Sequence, residues 1–178
     1  REVAAYTLSR ALSWPDIPPV VLRQGPLGLG SVQFFVEADF DEHYFTLRGR
    51  PSCDEALRRI SVFDYLVNNA DRKGGHLLMG DDGRVWAIDH GLTFHVDFKL
   101  RTVIWDYAGQ PLPHDVVRDL HALRPQLEVR DSALRHELGD FISPAEVAAL
   151  RRRLDVLLRH GIFPTPRPSW RNVPYPLV

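Results

Sequence analysis

The stretch Asn69-Ala70-Asp71-Arg72-Lys73-Gly74-Gly75-His76, followed by Ile88-Asp89-His90-Gly91, decides how this chain is read. Lys73 lies two residues after Asp71, and a possible metal ligand, His76, lies five after it. Asp89 follows eighteen residues after Asp71. Phosphoryl-transfer chemistry needs such a set. One carboxylate faces the attacking hydroxyl, a cation meets the transferring phosphate, and further ligands hold the divalent ion on the nucleotide phosphates.

The flanks give this stretch its place. Asp54 to Asn69 reads as a helix with Leu57, Ile60, Phe63, Leu66 and Val67 on its buried stripe. Leu77 to Met79 and Arg84 to Ile88 read as a hairpin around Asp81-Asp82-Gly83. The local order is therefore helix, polar loop, hairpin, second Asp. Upstream, residues 2 to 13 read as a helix ended by Pro15, Pro18 and Pro19. Val20 to Arg23 and Val32 to Glu37 read as strands joined by a Gly25 to Gly30 loop, and Tyr44 to Leu47 has weak strand potential. No Lys-Ser/Thr follows those glycines and no helix starts there, so they make a plain hairpin loop rather than a phosphate cradle.

Downstream, residues 90 to 113 form a long loop with an extended piece at Thr102 to Trp105. Asp115 to Leu123 and Ser132 to Leu138 are short helices. Ser143-Pro144-Ala145-Glu146 is a capping box opening a helix that Gly161 closes. The tail from Pro164 carries five prolines and is expected to lie extended on the surface. Helices segregated from small sheets make the fold class α+β.

Composition bounds the function. The chain has 178 residues, 44% hydrophobic, enough to bury a core. A net charge of −1 argues against bulk electrostatic binding to nucleic acid. Cys53 is the only cysteine, so neither an intramolecular disulfide nor a Cys-rich zinc frame is available. His90 and His95 do not have zinc-site spacing and read as hydrogen-bonded loop histidines. Trp86 and Trp105 read as core or platform residues. No apolar run is long enough to span a bilayer and no secretory signal opens the chain, so a cytoplasmic location is the expectation. Arg1 rather than Met comes first, so residues upstream are expected. Lys73 and Lys99 are the only lysines, which makes a lysine inside the motif less accidental.

Asn-x-Asp-Arg, a ligand five residues after the Asp, and Ile-Asp-His-Gly resemble the atypical kinases related to phosphatidylinositol 3- and 4-kinases. HipA-like toxin kinases carry a similar Asn-x-Asp-Arg run. The likeness is strongest to uncharacterised actinobacterial members and covers most of the chain. It implies a kinase-like fold: a mainly helical C-lobe with a catalytic hairpin, beside a reduced N-lobe of the first helix and two strands. The implied boundaries are 1–37 for the N-lobe remnant with its hinge, 38–163 for the C-lobe and 164–178 for the tail.

The resemblance places Asp71 at the catalytic Asp and Asp89 at the metal Asp. His76 falls at the second metal ligand, where Asn is usual. Lys73 falls at the loop Lys of protein kinases, where lipid kinases more often carry His. Glu2 falls on the helix whose Glu pairs with an N-lobe Lys. Gln33 to Glu37, with Phe34, Phe35 and Val36, would be the hinge meeting adenine, and Leu78 and Ile88 the apolar floor beneath it. The implied cofactors are ATP and Mg²⁺ or Mn²⁺, an imidazole tilting the choice toward Mn²⁺. The partners are the nucleotide and a hydroxyl-bearing acceptor: a protein, an inositol lipid or a small metabolite. Two other readings stand beside this one. The first is a nucleotide-binding pseudokinase, since neither a Gly-rich phosphate loop nor an N-lobe Lys precedes the first helix in this sequence. The second is a metal-dependent phosphohydrolase built on Asp71, His76, Asp89 and His90.

Overall fold

A computed structural model describes residues 1–178. It is a mixed α/β architecture of six helices and two small antiparallel sheets. The central helix, α3 (Pro51–Val67), starts with Pro at its first position, where the missing N–H costs nothing. It ends at Asn68, which adopts the left-handed conformation at φ 56°. Leu57, Ile60, Phe63, Leu66 and Val67 are buried as their spacing predicts. Asn68 and Asn69 lie beyond the helix, so the motif begins on the cap.

Helix α1 (Glu2–Leu12) lays Ala4, Ala5, Leu8 and Leu12 into the same apolar cluster as α3. It is tied to the later helices by Thr7 Oγ1 donating to Glu137 at 3.0 Å and by an Arg1–Glu146 ion pair. Those later helices are α4 (His114–Glu128), α5 (Ala133–Gly139) and α6 (Pro144–His160). Helix α4 runs past the expected end at Leu123 and through Pro125. Pro125 forfeits one backbone bond near the helix end, and Leu127, fully buried, holds the last turn on the core.

The first sheet is a two-stranded hairpin, β1 (Val20–Gly25) and β2 (Gly28–Gln33), with Val21 opposite Val32. The second strand begins four residues earlier than expected. Gly28 to Gly30, read as loop, pair with Gly25 to Arg23, so the turn is only Pro26-Leu27. Phe34 to Glu37 then leave the ladder and lead into β3 (Ala38–Asp39). The second sheet has the order β3-β4-β5, with β4 at Leu77–Gly80 and β5 at Val85–Ala87. Its hairpin, at Asp81-Asp82-Gly83, is the expected one; Gly83 sits at φ 77°. Gly80 has no room for a side chain, because a Cβ there would lie 2.8 Å from Trp86 Nε1.

Tyr44–Leu47, given weak strand potential, is instead a single helical turn, α2. His43 decides it. Its ring accepts from the Phe45 N–H at 3.2 Å while Thr46 Oγ1 accepts from the His43 N–H at 3.0 Å, a reciprocal cap that outweighs the local β-propensity. The stretch from 90 to 113 is irregular as expected, apart from two isolated bridges, Thr102 to Arg72 and Pro111 to Ile162. The proline-rich tail is not merely laid on the surface. Trp170 Nε1 donates to Leu100 O, Thr102 N–H to Asn172 O, and Gly74 N–H to Leu177 O at 2.7 Å. No helix is long and apolar enough to cross a membrane.

The capping box at the start of α6 is formed, with Ser143 Oγ accepting from Glu146 N–H and Glu146 Oε2 accepting from Ser143 N–H. Ser143→Ala should therefore cost about 1 kcal/mol of stability, measured by urea unfolding. An unchanged midpoint would mean that tertiary packing alone fixes that helix end.

Candidate functional site

The Asn68–His76 loop is built on one buried cation. Arg72 is completely buried, and its guanidinium meets the equally buried Asp64 carboxylate of α3 through Nε, at 3.1 and 2.9 Å, and Nη2, at 2.9 Å. Nη1 donates to Ile88 O at 2.6 Å, so the same side chain grips the end of the β4–β5 hairpin. Nη2 also meets His90 Nε2 at 2.8 Å. A guanidinium has only donors, so Nε2 accepts and the His90 proton sits on Nδ1. Burial and the Arg72 charge hold the His90 pKa well below its ordinary value. Its ring packs edge-on against Phe63, 5.8 Å between centroids.

The two asparagines before the motif close the loop. Asn69 Nδ2 donates to Asp64 Oδ1 at 3.0 Å, and Asn69 Oδ1 accepts from the Asp71 N–H at 3.0 Å. Asn68 reaches the other way. Its Nδ2 donates to His95 O and Asp97 O, and its Oδ1 accepts from the Lys99 N–H at 2.8 Å. Asp71 follows them, its carboxylate partly exposed. Lys73 Nζ lies 3.3 Å from Asp71 Oδ2.

The second pair is His76 and Asp89, with Nε2 3.3 Å from Oδ2. Asp89 adopts φ 56°, a left-handed conformation uncommon for a residue with a side chain. That twist at the end of the hairpin leaves its carboxylate half-exposed and facing His76. Burial and the nearby Arg72 charge lower the His76 pKa, against the opposing pull of Asp89 and Asp71, so its imidazole is neutral at pH 7. A neutral imidazole and a carboxylate side by side are donors that a divalent ion accepts, and two such ligands leave most of its coordination positions open. No third His, Cys, Asp or Glu joins them.

Glu2, at the start of α1, also points here. The His90 backbone N–H faces its carboxylate, while burial and the neighbouring Asp89 charge raise its pKa. One of its oxygens, Oε2, is buried with no partner.

The adenine-side residues are less gathered. Val36 and Leu78 are buried and Ile88 half-buried, while Phe34 and Phe35 are about two-thirds exposed. The four-residue phosphohydrolase set does not converge, because His90 turns inward to Arg72 and leaves no imidazole for a metal beside Asp89.

Asp64 is the residue that sequence reasoning missed. Its only signal is a carboxylate inside the apolar run Ile60-Ser61-Val62-Phe63-Asp64-Tyr65, on a helix face that ought to exclude charge. Asn69 opens the quoted motif and Asn68 precedes it, but neither the Asn69 bonds to Asp64 and Asp71 nor the Asn68 bonds to the flanking loop could be read from it.

Residues 25–128 match the family described as Phosphatidylinositol 3- and 4-kinase. The chain belongs to this family. Among relatives, Protein Rv2133c of Mycobacterium tuberculosis is 36% identical over 99% of this chain and 74% of its own length. Two plant proteins, each named Phosphatidylinositol 4-kinase gamma 4, are similar at lower identity. The one from Oryza sativa subsp. japonica is 27% identical over 90% of this chain, and the one from Arabidopsis thaliana is 29% identical over 91%. This family member spans about a third of the length of those plant kinases: 31% and 33%.

Two outcomes follow from the buried network. Arg72→Met leaves the Asp64 carboxylate buried without a counter-charge, a change that should cost about 3–5 kcal/mol in urea unfolding. The double variant with Asp64→Leu should recover much of that loss; an equal or larger loss in the double variant would show that Arg72 acts mainly through its carbonyl contacts. His90, with its folded-state pKa depressed, contributes stability that is present above the unfolded histidine pKa and lost as pH falls toward the folded value. Wild type should therefore lose more stability between pH 7 and pH 5 than His90→Gln does. Parallel losses in the two proteins would show that His90 does not set the acid sensitivity.

Proposed function

We propose that this chain is the catalytic part of an ATP-dependent phosphotransferase of the phosphatidylinositol 3- and 4-kinase type. The observation that carries the reading is the placement of two polar pairs, Asp71–Lys73 and His76–Asp89, on one loop and hairpin locked together by Arg72. In this reading residues 38–163 form a kinase C-lobe. Residues 1–37 supply the end of an N-lobe and its hinge, and 164–178 a tail. The unpartnered Glu2 oxygen suits a lysine from the rest of an N-lobe. Phe34, Phe35 and Val36 would meet adenine above Leu78 and Ile88.

Asp71 orients the acceptor hydroxyl and takes its proton as the oxygen–phosphorus bond forms and ADP departs. Lys73, released from Asp71 by the incoming phosphate, neutralises charge on the transferring group. Asp89 and His76 would hold Mg²⁺ or Mn²⁺. A divalent ion held there would offset negative charge on the transferring phosphate. The protein's own contribution is positioning and a fixed electrostatic field. The names of the plant relatives make phosphatidylinositol the first acceptor to try, followed by protein hydroxyls and small metabolites.

His76 in contact with Asp89 favours a second reading, a nucleotide binder with little or no turnover. Measuring ATP affinity and γ-phosphate transfer together separates the two. Lys73→Met should lower transfer about a hundredfold while changing ATP affinity little, the pattern of transition-state stabilisation. Asp71→Asn should abolish transfer with binding intact, and Asp89→Asn should remove metal-dependent stabilisation by nucleotide. His76→Asn should move metal preference from Mn²⁺ toward Mg²⁺. Metal-dependent ATP binding without transfer to any acceptor would select the second reading, and no nucleotide binding would overturn both.

A further inference from the structure

On the side of α6 lies a groove of about 340 Å³ that the proposed chemistry does not use. Its walls are Tyr65 of α3, Phe98 of the long loop, the end of α6 at Leu157 and His160, and the segment from Ile162 to Arg167. Leu157 and Phe163 are buried, and Ile162 is partly exposed to the groove side. None of the residues lining it is acidic.

Two donors that line this groove, the Arg167 guanidinium and the Tyr65 hydroxyl, have no protein acceptor. The Arg167 guanidinium stacks flat on Phe98, 3.4 Å from the ring centroid, and makes no ion pair or side-chain hydrogen bond. Tyr65 is only 8% exposed, yet lines the groove and has no hydrogen-bond partner for its hydroxyl. Beside it Arg153, also 8% exposed, donates Nε to Leu66 O at 2.8 Å and Nη1 to His95 O at 3.4 Å. Its Nη2 is buried with no partner at all. Desolvation with no carboxylate nearby lowers the Arg153 pKa to about 10. Arg153 does not line the groove, but its uncompensated charge beside Tyr65 leaves this side of α6 positive.

We propose that this groove is a binding site for a small amphipathic carboxylate, a free medium-chain fatty acid. The head group sits at Arg167 and the Tyr65 hydroxyl. The chain lies along Leu157, Ile162 and Phe163. A planar carboxylate suits the free edge of a stacked guanidinium, which offers parallel N–H donors. The groove is of the size that takes a ligand of about ten heavy atoms and is too small for a folded partner element. This site is independent of the phosphotransferase reading.

Octanoate is the probe, titrated into the purified protein by calorimetry, with acetate and 1-octanol as comparators. Octanoate should bind saturably at one site. Acetate lacks the chain and octanol the charge, and each should bind at least about tenfold more weakly. Arg167 is exposed and makes no ion pair, so Arg167→Glu should stay folded by circular dichroism, with a small loss in unfolding temperature from the lost Phe98 stack, while weakening octanoate about tenfold or more. Tyr65→Phe, which keeps the ring packing, should weaken it by a smaller factor. Failure of octanoate to saturate, equal binding by octanol, or undiminished binding to folded Arg167→Glu would each overturn the proposal.

Discussion

A guanidinium with no access to water is the point on which the rest of this structure depends. Arg72 cannot shed its charge, so its burial obliges the chain to bring a carboxylate, a carbonyl and an imidazole to it. Asp64 comes from α3, Ile88 O from the end of a hairpin and His90 from the turn that follows. Each partner belongs to a different element. Their relative positions are therefore fixed by hydrogen-bond geometry rather than by shape alone, and the Asp71–Lys73 and His76–Asp89 pairs inherit that precision. Hydrophobic packing is forgiving of small displacements, whereas a fork-like donor array is not.

The loop beyond Asp89 is ordered by a related device. It has almost no regular structure, yet its backbone groups are satisfied by residues distant in sequence. Ala70 N–H donates to Leu92 O, Arg101 N–H to Asn69 O, and Val103 N–H to Arg72 O. The Asn68 side chain adds three more bonds across the same gap. The two sides of the site are thus sewn to each other, and an irregular stretch of more than twenty residues sits in a defined place without a core of its own.

The legible elements were those with both a period and an end signal. α3 and α6 carry apolar stripes closed by Asn68 or Gly161, and the β4–β5 hairpin has Asp-Asp-Gly at its turn. The misread elements are those where a distant or single-residue effect prevails over local composition. Tyr-Phe-Thr-Leu suggests a strand until the His43 cap is considered. Gly28 to Gly30 suggest a loop because glycines do not advertise pairing. That Asp71, Lys73, His76 and Asp89 lie near one another follows from the short loop and hairpin between them, whereas the Asp71–Lys73 and His76–Asp89 contacts were not read from the sequence. Nor were Asp64 and the tail contacts, because nothing near them in the chain encodes where their partners lie.

The bond between Gly74 and Leu177 joins the loop to residues made about a hundred positions later, and Thr102 waits in the same way for Asn172. Contacts of such long sequence separation close late, after local helices and hairpins have formed. During synthesis the chain emerges from its N-terminal end, so Asp71, Lys73 and His76 are present long before the segment that completes their surroundings. The polypeptide therefore passes through a stage in which the Asp64–Arg72 centre can already be folded while the loop above it still lacks its final hydrogen bond. The finished geometry of the loop therefore belongs only to a molecule in which the segment around Leu177 has been made and docked.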